Sequence, residues 1–128
     1  MILTMNKYTI YCTPEQTRKA LELGAPIRFA SINDIRLGRY IEVESNNEAY
    51  EIPTTEQMIG WLDEQGIAID IHTYFRVGHG KIHHYQYTVT DLNRVFNGEY
   101  TSRKETTLAA IDAALEYLTK AKVNYKNI

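Results

Sequence analysis

The stretch at residues 67–89 constrains the fold more than any other part of the chain. It reads IAIDIHTYF, RVGHG and KIHHYQYTV, two alternating runs around a short glycine-bearing connection. Side chains of a strand point to opposite faces with period 2, so Ile67, Ile69, Ile71, Thr73 and Phe75 share one face. Ala68, Asp70, His72 and Tyr74 share the other. On the return run, His83, Tyr85, Tyr87 and Val89 alternate with Ile82, His84, Gln86 and Thr88. A five-residue loop at 76–80 sets Ile71 opposite Tyr85 and His72 opposite His84. A three-residue loop at 78–80 moves the pairing by two and keeps the faces. A shift of one would set Gln86 against Ile71 and mix the faces, so it is rejected. An isoleucine–tyrosine face under covering helices follows.

The flanking segments carry helix punctuation. Thr13-Pro14-Glu15-Gln16 offers a cap, a proline at the first helical position and a capping-box partner, with Gly24 as the stop. Thr54 and Gln57 repeat this grammar ahead of Met58, Ile59, Trp61 and Leu62, and Gly66 ends that helix. Gly60 weakens its middle, which suggests a close helix–sheet approach there. The repeated Thr-x-Glu-Gln reads as shared punctuation rather than an internal duplication, because the residues between do not match. Ser102 and Glu105 form a third box, opening the longest helix. Its seam is Leu108, Ile111, Leu115 and Leu118, with alanines at 109, 110, 113 and 114 for close packing, and Glu116 is spaced to pair with Lys120. Strands are expected at 7–12, 27–35 and 39–44, a polar loop at 45–48 and an extended lead-in at 50–53. Residues 94–100 are open between strand and loop, with Asn97-Gly98 as a turn signal. The order is β-α-β-β-α-β-β-(β)-α. It predicts one α+β domain over 1–128, a mainly antiparallel sheet with about three helices on one face, and fraying at 1–6 and 124–128.

The chain has 128 residues and a formal net charge of −2, which gives no electrostatic case for duplex nucleic acid or an anionic membrane. A single cysteine, Cys12, rules out an intramolecular disulfide and a cysteine zinc cluster. Met1 to Met5 is too short for the apolar centre of a leader, and no apolar run reaches the roughly 18–20 residues of a membrane span. The expected setting is cytoplasmic. Ten tyrosines against three phenylalanines suit a sheet with half-solvated faces.

Two constellations have chemical interest. In the five-residue-loop register, His72 and His84 sit opposite each other with Asp70 two residues along. That would bring two imidazoles and a carboxylate, a set that suits zinc or iron, to one polar face. Their bland alternative is a solvated sheet face. Ser102, Arg103 and Lys104 open the last helix, where free N–H groups and two cations suit a phosphate or carboxylate; the bland alternative is an ordinary cap. His79 reads as a loop residue, His83 as a rim histidine and Cys12 as inert. Tyr74, Tyr85 and Tyr87 have the chemistry of a single-strand stacking platform, but two of them lie on the core face. No cofactor or catalytic residue is indicated.

IPTTEQMIGWLDEQGIAIDI and SRKETTLAAIDAALEYL resemble segments of small proteins encoded by phages and prophages of gut bacteria. In those, a helix ending in glycine leads to a strand hairpin, and a late helix carries an AAIxxALxxL pattern. Here that pattern is Ala109, Ala110, Ile111, Ala114, Leu115 and Leu118. The resemblance covers about a third of the chain, rests on structural residues and implies an accessory protein of a mobile element. The expectation is therefore a non-enzymatic protein-interaction module, with an unknown protein partner or as a homo-oligomer through a sheet edge or a tyrosine-bearing face. The alternatives are a metal- or small-ligand-binding domain using His72, His84 and Asp70, and weak single-stranded nucleic-acid binding.

Overall fold

The computed structural model describes residues 9–75, 83–89, 94–100 and 102–126; for 73–75, 83–84, 94–100 and 123–126 it describes the backbone alone. Helices and antiparallel strands give an α+β fold. The strands form two sheets rather than one, and four helices occur among the described residues. Two compact units result, Met1–Met58 and Ile59–Ile128, each with its own sheet.

In the first unit, α1 (Pro14–Glu22) starts as its sequence demands. Thr13 Oγ1 accepts from the Gln16 N–H at 3.1 Å, and Gln16 Oε1 accepts from the Thr13 N–H at 3.0 Å. The helix ends where the Gly24 N–H donates to the Leu21 carbonyl and the Ala25 N–H reaches back to Ala20. Its buried face is Gln16, Thr17 and Ala20. The buried Thr17 hydroxyl is satisfied by the Thr13 carbonyl at 2.9 Å, which removes the cost of hiding it.

The expected strand at 27–35 is the main correction. Its second half is a helix, α2 (Ile32–Leu37), because Ser31 and Asp34 make a capping box and Gly38 takes the left-handed conformation at φ 71°. That local bonding outweighs the strand preference of the isoleucines. What remains extended is a bridge of Phe29 to Tyr50, with Ala30 N–H donating to the Ala49 carbonyl and Glu51 N–H to the Arg28 carbonyl. The hairpin is formed instead by β1 (Tyr40–Val43) and β2 (Glu48–Glu51), with Ile41 opposite Tyr50 and Val43 opposite Glu48. The strand expected at 7–12 reduces, within the described residues, to a Tyr11–Thr54 bridge.

Helix α3 (Thr55–Glu64) carries the division between the units. Its capping box is formed by Thr54 and Gln57, as the sequence indicates. At its end, Gly66 N–H donates to Asp63 and Ile67 N–H to Leu62, and Leu62 and Ile67 are both fully buried. Gly60 does not permit a close approach: a Cβ placed on it meets nothing within 4 Å.

The second unit holds β3 (Ile69–Phe75), β4 (His83–Val89) and β5 (Arg94–Tyr100) in that order, all antiparallel. Residues 94–100 are thus a strand. Asn97-Gly98 does not turn the chain; it lies where the β4–β5 register slips, between the Tyr87–Phe96 and Tyr85–Tyr100 pairs. Helix α4 (Arg103–Lys126) packs on this sheet. It buries Thr106, Thr107, Ala110, Ile111, Ala114, Leu115 and Leu118, while Leu108 is only half-buried. Thr106 and Thr107 tolerate burial because their hydroxyls donate to the Ser102 and Arg103 carbonyls at 2.7 and 2.8 Å. The sheet contributes Tyr87 and Val89 to the core, with Ile69, Ile71 and Tyr85 half-buried, and Ile67, expected in the strand, is buried just before β3 begins. Helix α4 also takes in 124–126, expected to fray. Residues 1–6, 127 and 128 lie outside the described residues, as does His79.

Candidate functional site

The hairpin adopts the register of the three-residue loop. Ile71 pairs with Tyr87 and Ile69 with Val89, so His72 faces Gln86 and His84 faces Tyr74. The direct His72–His84 pairing is therefore not formed. Both registers satisfy the alternation equally, and only the connection between the strands distinguishes them. Asp70 and His72 do come together, with Asp70 Oδ2 3.5 Å from His72 Nε2 on an exposed surface. Thr88 Oγ1 lies 3.4 Å from the same nitrogen. The side chains of His83 and His84 lie outside the described residues. Among the described residues, no group of three His, Cys, Asp or Glu side chains is placed to hold a metal ion.

At the start of α4, two of the groups expected to bind an anion, Ser102 and Arg103, make contacts within the chain. Ser102 Oγ accepts from the Glu105 N–H at 3.3 Å, so it works as the cap. The Arg103 guanidinium lies 5.6 Å from the Tyr85 ring centroid, a cation–π distance. Lys104 is exposed, and Glu105 places a carboxylate in the same turn. Cys12 is buried at 4% exposure, and its thiol lies 3.7 Å from the Thr54 carbonyl. That suits a structural cysteine.

Two surfaces of the first unit were not anticipated. The first surrounds α2, which has no buried residue. Phe29, Ile32, Ile35 and Leu37 are 63%, 79%, 50% and 58% exposed. Ile32 and Ile35 are three apart and share a helix face. Phe29 stacks on Tyr50 with centroids 5.2 Å apart, which fixes its orientation without covering it. Two of the nearby charges, Arg28 and Asp34, are occupied. Arg28 Nε holds Glu51 at 3.0 Å, and this partner raises the guanidinium pKa. Asp34 Oδ2 accepts from the Ser31 N–H at 2.8 Å, which holds its carboxyl below the ordinary range. The Ser31-x-x-Asp34 box followed by Gly38 was the signal that could have revealed this helix and its exposed face.

The second is a cavity of about 510 Å³ between α1 and the hairpin, lined by Arg18, Leu21 and Glu22 on one side and Glu42, Val43 and Glu44 on the other. Tyr50 also lines it, and its hydroxyl donates to Glu48 at 2.9 Å, which raises the phenol pKa. Among the described residues, no helix is long and apolar enough to cross a membrane. No protein-family model matches the chain, and no curated protein and no solved structure shows significant similarity to it.

Proposed function

We propose that this chain is a non-enzymatic protein-interaction module, working in the cytoplasm, that pairs with a second copy of itself through α2 and Phe29. The observation that carries this reading is the exposure, between 50% and 79%, of four large apolar side chains within nine residues. Side chains exposed to this extent add up to roughly a few hundred Å², the range in which the largest apolar patch of a monomer is often functional. A two-fold axis through an apolar patch sets it against itself, so complementarity needs no second surface. Stable interfaces bury about 800 Å² per partner, so a patch of this size supports a weak, concentration-dependent pair. The likeness of two segments to phage and prophage proteins supports a role as an accessory protein of a mobile element, where small modules act by binding.

The test is light scattering over a concentration series, with wild type beside the Ile32→Glu/Ile35→Glu double variant. Wild type should rise from monomer towards dimer as concentration increases. The double variant should stay monomeric with an unchanged circular dichroism spectrum, because both side chains are exposed. A wild type that is monomeric throughout, or a variant that pairs equally well, overturns the reading.

A further inference from the structure

Among the described residues, the β1–β2 sheet has one edge with backbone partners and one without. Ile52 N–H donates to the Arg39 carbonyl at 3.1 Å, which identifies Arg39 and Ile52 as a hydrogen-bonded pair. Antiparallel ladders alternate, so Ile41–Tyr50 and Val43–Glu48 are also bonded pairs, and Tyr40 and Glu42 direct their N–H and C=O groups away from β2. On β2 the equivalent outward groups, at Ala49 and Glu51, are taken by Ala30 and Arg28. On β1 the outward groups of Tyr40 and Glu42 have no backbone partner among the described residues. An edge of this kind is a template for another extended chain.

Beside that edge lies the cavity between α1 and the hairpin. Three of its lining residues are carboxylates, Glu22, Glu42 and Glu44, against one cation, Arg18. No ion pair to these three glutamates occurs among the described residues. Glu42 and Glu44 also line a second, smaller cavity of about 180 Å³ near the hairpin turn. Leu21 and Val43 supply the apolar part of the larger cavity's wall.

We infer that the open edge of β1 accepts an extended segment of alternating basic and apolar residues from a partner protein. Its backbone would pair with Tyr40 and Glu42. One set of side chains would enter the cavity against Leu21 and Val43, and the other would present cations to Glu42 and Glu44. Period 2 in the added strand separates the two sets, and the charge balance of the lining selects a basic segment over an acidic one. The pairing edge is the one opposite the Phe29 bridge, and Tyr50, which lines the cavity and stacks on Phe29, is the residue the two surfaces share.

The probe is a capped five-residue peptide alternating lysine and valine, titrated into the full chain while backbone amide signals are followed by NMR. Its partners are the same peptide with glutamate for lysine, the lysine peptide N-methylated at alternate residues, and spermidine. Strand addition predicts that the basic peptide shifts the Tyr40 and Glu42 amides, and that the acidic peptide does not. N-methylation should weaken binding about tenfold by removing the edge hydrogen bonds. Glu42→Gln/Glu44→Gln should weaken the basic peptide by roughly three- to tenfold at low salt and flatten its salt dependence. Ile32→Glu/Ile35→Glu should leave peptide binding unchanged, which separates this surface from the self-association reading. Absence of binding by the basic peptide overturns the inference. So does equal binding of the N-methylated peptide, or a spermidine response matching that of the peptide, since either would reduce the site to a diffuse acidic surface.

Discussion

Gly60 gives the sharpest test of the architecture. It is the sixth of ten residues in α3, is solvent-exposed, and a Cβ added there meets nothing within 4 Å. Gly60→Ala therefore changes backbone freedom and little else. Alanine is favoured over glycine in a helix interior by about 0.8–1.0 kcal/mol, largely because glycine leaves more freedom in the unfolded chain. We expect a gain of about 0.5–1 kcal/mol, equivalent to roughly 2–5 °C in Tm for a chain of this length. Urea unfolding measures it directly, since the chain's one tryptophan, Trp61, is the adjacent residue and reports on the same helix. The midpoint should rise with an unchanged slope. Gly38→Ala is the matched control. It too has nothing within 4 Å, but its φ is +71°. Alanine there should cost about 1–2 kcal/mol, the penalty of a Cβ in the left-handed region. A destabilised Gly60→Ala, or two glycines that respond alike, would refute the separation of space from backbone conformation on which this reading of α3 rests.

Further outcomes follow from the core and the caps. Ile111→Ala removes a fully buried side chain from the face of α4 that meets the sheet and should cost about 2–5 kcal/mol, read as a lower urea midpoint. Thr54→Ala removes the hydroxyl that accepts from Gln57 at 3.2 Å and should cost about 1 kcal/mol by the same measurement. Asp34 accepts from Ser31, and its depressed pKa makes its contribution to α2 complete above the ordinary carboxylate value of about 3.9. That contribution should be lost as pH falls through the lower folded-state value. The midpoint followed at the Ser31 amide in an acid titration should lie below about pH 3.9; a midpoint at or above 3.9 contradicts the capping bond.

The punctuation of α1, α3 and α4 was legible because it is short-range chemistry. A hydroxyl reaches an N–H three residues on, and a glycine takes a conformation that other residues avoid, whatever surrounds them. The same grammar stands at Ser31, Asp34 and Gly38, yet Ile27, Ile32 and Ile35 read as a strand there. Two local preferences competed in nine residues, and the hydrogen-bonded cap prevailed. In α4 the repeat of leucines drew attention to Leu108. The buried positions include Thr106 and Thr107 instead, since a threonine whose hydroxyl returns to its own helix can sit inside a core.

What the amino-acid order determined by itself is therefore the faces, the caps and the α+β class, all set by periods of two to four residues. Tertiary structure decided what those periods leave degenerate. A hairpin shifted by two residues buries the same side chains, so alternation alone did not say whether His72 meets His84 or Gln86; the observed pairing is with Gln86. An isoleucine on a helix carries no mark of whether anything covers it. The exposure of Ile32 and Ile35 and the open edge at Tyr40 and Glu42 emerge only when the rest of the chain has taken its place. Both depend on which neighbours arrive from far along the sequence, and no local pattern encodes that.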